Sequence, residues 1–159
     1  MSIVVRLVVE EDLPVLRAHQ ARPELNLVDE HFALSRTGRL LFAVAYSGDS
    51  PLGTALLDLG EGPWRPELRN MWVYPQARRR GAGRALSHWL EEQARNLGFP
   101  AVYLAVDPNN IKAIPLYISL DYLPTGEHIF VEDPEVTQVE EGQQAAEHYA
   151  VYKKSLTAL

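Results

Sequence analysis

Met71-Trp72-Val73-Tyr74-Pro75-Gln76-Ala77-Arg78-Arg79-Arg80-Gly81-Ala82-Gly83-Arg84-Ala85-Leu86 is the stretch from which the rest of the chain is read. Leu68 to Tyr74 is rich in apolar and aromatic residues, which suits a strand. Pro75 cannot donate to a ladder and ends that strand. Gly81 and Gly83 permit backbone angles and close approaches that a Cβ forbids. From Arg84 the residues favour helix. A strand, a tight turn and a helix start leave several N–H groups unpaired at the helix N-terminus, and the helix dipole adds positive potential there. Arg78, Arg79, Arg80 and Arg84 surround the same point. The turn is therefore predicted to bind phosphate.

The pattern narrows which phosphate ligand is meant. A dinucleotide fingerprint requires Gly or Ala three residues after Gly83, and that position is Leu86. A P-loop requires Gly-Lys followed by Ser or Thr, and the chain contains no Gly-Lys pair. What remains is Arg78-x-x-Gly81-x-Gly83, preceded by Val73-Tyr74-Pro75. A second segment, Asn110-Ile111-Lys112-Ala113-Ile114-Pro115-Leu116-Tyr117, reads N-x-x-A-x-x-L-Y and runs on to Asp121-Tyr122. The first segment closely resembles motif A of the GNAT superfamily of N-acetyltransferases, and the second resembles its motif B. Together they span Glu67 to Tyr122. One departure is Asp121-Tyr122, where the family pattern has a Gly-Phe pair. The position of Asp121 ends a helix, where a left-handed residue is usual and Gly fits better than Asp.

The resemblance implies a fold and a chemistry. The fold is a mixed, mostly antiparallel seven-stranded sheet with a central parallel strand pair and flanking helices, in one acyltransferase domain over 1–159. The amides and arginines of the turn (Arg78, Arg79, Arg80, Gly81, Ala82, Gly83 and Arg84) hold the pyrophosphate of acetyl-CoA. The exposed backbone of Met71, Trp72 and Val73 pairs with the pantetheine arm, and one of its N–H groups polarises the thioester carbonyl. Ala113 belongs to the same cofactor-binding motif as Asn110, which contacts the cofactor or caps its helix. Tyr117 stands near the sulfur as general acid; its plain alternative is a core aromatic on an apolar helix face. Glu67, fourteen residues before Gly81, holds the position of a catalytic glutamate in the histone-acetylating branch. Desolvation on a central strand raises a glutamate's pKa, as a base working near neutral pH requires. The competing reading pairs Glu67 with Arg65 or Arg69 as structure. His31 and Glu30 are weaker candidates for the base, and ordered water could serve instead. The implied activity is direct transfer of acetyl to a primary amine in a ternary complex. Its rivals are a catalytically silent CoA-binding regulatory module and a nucleotide-phosphate-binding module. No metal is implied.

Composition bounds these readings. A length of 159 residues predicts one domain. No apolar run approaches the ~18 residues of a membrane span, and Met1-Ser2-Ile3-Val4-Val5-Arg6 lacks the parts of a signal peptide. With no cysteine, cysteine nucleophiles and thiolate metal sites are excluded and a cytoplasmic setting is expected. A net charge of −6 argues against general nucleic-acid binding; a monomer or homodimer is expected. Glu132, Asp133, Glu135, Glu140, Glu141 and Glu147 crowd a stretch with no Lys or Arg between Glu127 and Tyr152. This field predicts a cationic amine acceptor, small molecule or peptide; a solvated acidic loop is the plain alternative.

The remaining elements follow from periodicity and punctuation. Strands are predicted at Ile3–Val9, Leu40–Tyr46, Leu52–Leu59, Ala101–Val106, His128–Val131 and Tyr149–Lys153. Helices are predicted from Glu10, over Leu27 to Arg36, from Arg84 to Leu97, and across the second motif, where Pro115 kinks or delays the first turn. Leu86, Leu90, Ala94 and Leu97 share a predicted apolar face. Glu91 and Arg95 are predicted to pair at i, i+4. His19 is predicted to be a half-buried packing residue. The strand–helix–strand order places Ala101–Val106 parallel to the motif A strand, and its near-continuous apolar character predicts cover on both faces.

Overall fold

The computed structural model describes residues 2–108, 110, 113–130 and 148–157. Seven strands form one sheet: β1 (Val4–Leu7), β2 (Leu40–Ser47), β3 (Ser50–Asp58), β4 (Glu67–Val73), β5 (Ala101–Val106), β6 (Leu123–Phe130) and β7 (His148–Ser155). Their order across the sheet is β1-β2-β3-β4-β5-β7-β6. Every neighbouring pair is antiparallel except β4 and β5, which are parallel. The helices are α1 (Leu13–Ala18), α2 (Leu27–Arg36), α3 (Ala82–Asn96) and α4 (Ile114–Ser119). This is the mixed seven-stranded architecture that the two motifs imply.

The alternation of side chains along a strand distributes the core. On β2, Phe42 and Val44 turn toward α1 and α2, where they pack with Leu13, Leu16, Val28 and Leu56. Ala43 and Ala45 turn to the opposite face and meet α3 through Leu86, Leu90 and Ala94. Small residues at 43, 45 and 55 let that helix lie close to the sheet. His19 stacks on Tyr74 with ring centroids 4.5 Å apart, and its Nδ1 lies 2.8 Å from the Val15 carbonyl oxygen, a packing role as expected.

Several local expectations change. Leu97 is 57% exposed rather than on the buried stripe. The helix ends at Asn96, the chain turns through Gly98 at φ 92°, and the Phe99 N–H bonds back to the Ala94 carbonyl. Phe99 packs against the core instead. Glu91 does not pair with Arg95: its carboxylate is buried and takes Lys154 and Tyr122, whereas Arg95 pairs with Glu92. α4 begins at Ile114, with Pro115 in its first turn, where a missing N–H costs no helical bond. Its N-cap is Ala113, so Asn110 does not cap it; the Asn110 carbonyl accepts the Ala113 N–H in the preceding turn. Finally, β5 is not covered on both faces along its whole length, since Tyr103 and Ala105 are half-buried on the face away from α3. β6 starts earlier than expected, at Leu123. Val131 and the acidic stretch Glu132–Glu147 lie outside the described residues.

Candidate active site

β4 and β5 share a single pair, Glu67 opposite Tyr103, with the Tyr103 N–H donating to the Pro66 carbonyl. Beyond it the strands part. The cause lies on the other edge of β4. Arg69 stands opposite Leu56 and Trp72 opposite Thr54, so Asn70 and Met71 together face one residue, Ala55. Such a bulge bends a strand and sharpens its twist. Asn70 carries it in the left-handed region, at φ 51°, a conformation that asparagine tolerates better than most residues. Gly53 accommodates the close approach: a Cβ there would lie 2.4 Å from the Trp72 carbonyl oxygen.

The parted strands enclose a cleft of about 110 Å³, walled by Glu67, Arg69, Met71, Asp107, Asn110 and Tyr117, among others. The Tyr74 N–H donates to Leu52 on β3, so Trp72, two residues back, faces β3 as well. Val73 therefore presents its N–H and C=O to the opposite, open edge. Its carbonyl there accepts a 3.2 Å hydrogen bond from Arg78 Nε.

The turn into α3 stands at the end of this open edge. Arg79 and Gly81 both take left-handed angles, φ 65° and 90°. The first intrahelical bond runs from the Ala85 N–H to the Gly81 carbonyl, which leaves the N–H groups of Ala82, Gly83 and Arg84 without helical acceptors. Arg79 and Arg80 are exposed. Arg78 lies over the Trp72 ring at 5.2 Å, and Arg84 donates to Ser119 on α4. A Cβ built on Gly83 would meet Leu116, Val73 and Met71 at 3.6–3.8 Å. That glycine therefore sits where β4, α3 and α4 converge.

Tyr117 projects from α4 into the cleft, and burial pushes its hydroxyl above the ordinary tyrosine value. It is thus a proton donor throughout the neutral range. Glu67 forms part of the cleft wall and is buried. Its carboxyl is pushed up by burial, an effect opposed by Arg69 and Arg65 and reinforced by Asp58. Arg65 Nη1 lies 3.2 Å and Arg69 Nε 3.9 Å from its Oε1. Both sequence readings of Glu67 therefore have a physical counterpart: it is ion-paired, and it faces the cleft. Asp107, buried at the end of β5, adds a second cleft carboxylate that the sequence reading missed. Its only sequence signal is an acid at the exit of an apolar strand. His31 is buried edge-on to Phe42 beneath α2 and is not part of the cleft wall; Glu30 lies on the same helix. Among the described residues no cluster of side chains could hold a metal ion, and no helix is long and apolar enough to cross a membrane.

Residues 7–122 match the Acetyltransferase (GNAT) family. The chain is 32% identical over 83 residues to thialysine N-epsilon-acetyltransferase of Caenorhabditis elegans, a match covering 50% of this chain and 52% of that protein. It thus spans about half the length of that curated relative. Among solved structures, yncA from Salmonella typhimurium with its cofactor acetyl-CoA superposes with a TM-score of 0.72 at 16% identity, over 100% of this chain and 96% of that one. A Bacillus subtilis acetyltransferase in complex with CoA superposes with a TM-score of 0.71 at 20% identity, over 98% and 99% of the two chains. The chain belongs to the GNAT acetyltransferase family, whose members use acetyl-CoA as cosubstrate.

Proposed function

We propose that this chain moves the acetyl group of acetyl-CoA to a primary amine by direct attack within a ternary complex. The observation that carries the reading is the parting of β4 from β5 beside the N-terminus of α3, with Tyr117 on the wall of the opening. When bound there, acetyl-CoA supplies an activated acyl thioester and a thiol leaving group. In this reading the amides of Gly81, Ala82 and Gly83, with Arg79 and Arg80 beside them, hold the pyrophosphate. The open backbone edge at Val73 orients the pantetheine arm, Trp72 being turned to β3 instead of the open edge that the sequence predicts for it, and the Val73 N–H polarises the carbonyl. Glu67 takes the proton from the attacking nitrogen, which must be unprotonated to have a lone pair. Tyr117 delivers a proton to the departing sulfur. With no cysteine in the chain, no cysteine-linked acyl-enzyme intervenes, and catalysis rests on holding the two reactants together.

Asp107 in the cleft, beside a Glu67 that is paired with Arg65 and Arg69, and the net charge of −6 support a cationic acceptor. The test is a thiol-release screen with polyamines, amino acids, aminoglycosides and peptides, repeated from 0.1 M to 1 M salt, where the Debye length falls from ~10 Å to ~3 Å. Release with a cation, weakening as salt rises, is the expected result. Release with neutral or anionic acceptors alone removes the cationic specificity. Acetyl-CoA binding without release across the screen identifies a silent CoA-binding module. Tighter binding of ATP or NAD than of CoA identifies a nucleotide-phosphate module.

A further inference from the structure

Four charged side chains meet at the base of the β4–β5 opening, and three of them lie outside the two family motifs or carry no role in them. Asp58 ends β3 and is buried. One of its oxygens, Oδ2, receives Arg65 Nε at 3.4 Å and Arg69 Nη1 at 3.2 Å, and the other accepts the Gly60 N–H at 2.8 Å. Glu67 addresses the same two guanidiniums through Oε1, from Arg65 Nη1 at 3.2 Å and Arg69 Nε at 3.9 Å. Asp58 and Glu67 are register partners across β3 and β4, so their side chains share one face of the sheet. Two carboxylates therefore divide two arginines: the closer Arg69 contact goes to Asp58 and the closer Arg65 contact to Glu67.

We propose that Asp58 is a positioning residue that sets how readily Glu67 takes up a proton, by drawing Arg69 away from it and sharing Arg65 with it. This rests on the reading of Glu67 as the base. A carboxylate that owned both arginines would be held ionised and would be a poor proton acceptor. A buried carboxylate with no cation near it would stay protonated at neutral pH and could accept nothing. Sharing the pair with Asp58 leaves Glu67 between these extremes, and its carboxyl is indeed raised by burial with the two arginines opposing. The other titratable groups near the pair are Tyr103 on β5, opposite Glu67, Lys153 on β7, which lies over the Tyr103 ring at 5.9 Å, Asp107, Tyr117 and Tyr149 in the cleft, and Arg39, whose side chain approaches the Asp58–Gly60 turn. Of these, Asp107 is the other carboxylic acid in the cleft wall, and Arg39 stands beside the Asp58–Gly60 turn.

The experiment is the pH profile of kcat/KM for wild type, Asp58→Asn, Arg65→Gln and Glu67→Gln, each checked for folding by circular dichroism. Glu67 acts when ionised, so activity is lost as pH falls through its pKa. Asp58→Asn removes a negative neighbour and frees Arg69, with the shared Arg65, for Glu67, so the acid limb moves to lower pH by about one unit. Arg65→Gln, at a partly exposed side chain, removes a cation and moves the limb to higher pH. Opposite shifts from two members of one cluster are not produced by loss of packing. If Asp58→Asn does not fold, Arg65→Gln carries the test, and an unmoved limb there overturns the proposal. An acid limb unmoved in Asp58→Asn overturns the tuning role while leaving Glu67 as base, provided that Glu67→Gln abolishes the limb. A limb that persists in Glu67→Gln overturns both.

Discussion

The Tyr122 hydroxyl donates a 2.7 Å hydrogen bond to Glu91 Oε2, while Lys154 Nζ holds Oε1 of the same carboxylate at 2.8 Å. Position 122 is where the family pattern has phenylalanine, and Tyr122 is completely buried. The additional hydroxyl is thus matched by a buried acceptor, and the pair ties α3 to the chain between α4 and β6. Burial pushes the phenol well above its ordinary value, with Glu91 adding to the effect, so it remains a donor. Asp121, in the place of the family's glycine, takes φ 72°.

This arrangement predicts two opposite effects on stability. Tyr122→Phe leaves a buried carboxylate short of one partner and should cost about 1–3 kcal/mol in denaturant unfolding. Asp121→Gly removes a left-handed non-glycine residue and should stabilise by up to about 1 kcal/mol. Acetyl-CoA affinity should be unaffected in both. A neutral Tyr122→Phe would mean that Lys154 and water satisfy Glu91 alone.

At the turn into α3, the space around Gly83 separates a methyl from a larger group. A Cβ there makes ordinary contacts of 3.6–3.8 Å, so Gly83→Ala should fold and stay stable. The branches of Gly83→Val must displace Val73, Leu116 or Met71 and disturb the amides beside them. Calorimetry should show acetyl-CoA affinity reduced at least tenfold, or about 1.4 kcal/mol, in Gly83→Val. Unchanged affinity in a folded valine variant would remove this turn from the binding site.

Tyr117→Phe keeps the ring and deletes the proton donor. Turnover should fall by about 10²-fold or more with little change in acetyl-CoA binding. Because burial raises the Tyr117 pKa, no activity limb from its ionisation should appear in the neutral range. Wild-type turnover in the variant would make the ring a packing element only.

Acid stability is predicted to depend on Asp12. Both of its oxygens are bound by Arg6 at 2.8 Å, and the Val9 N–H and Tyr46 hydroxyl donate to it as well. Arg6 chiefly holds its carboxyl down, from 3.8 to about 2. A depressed folded-state pKa adds stability above the unfolded value and loses it as the carboxyl protonates in the fold. Roughly 2 kcal/mol should therefore be present above about pH 4 and vanish as pH falls through about 2. Urea midpoints across that range should fall steeply for wild type and more gently for Asp12→Asn. Parallel curves would assign the acid sensitivity to other carboxylates.

The sequence alone determined the elements whose instructions are local. α2 spans Leu27–Arg36 and β5 Ala101–Val106, as periodicity, Gly38 and Pro100 predict. The strand, turn and helix of residues 67–96 were legible because proline and glycine act on their own backbone and arginine charge needs no partner to be noticed. Tertiary structure decided what depends on residues far apart in the chain. The cleft exists because Asn70 bulges against β3, a pairing that no window of β4 contains. Glu91 reads as a surface residue beside Arg95, yet Lys154, sixty-three positions away, lies beneath it. Glu67 was visible as a carboxylate, but its two arginines are shared with Asp58 only because β3 and β4 register them side by side. Side-chain period sets which face a residue takes; only the packed sheet decides which charges meet on that face, and hence what a carboxylate there can do.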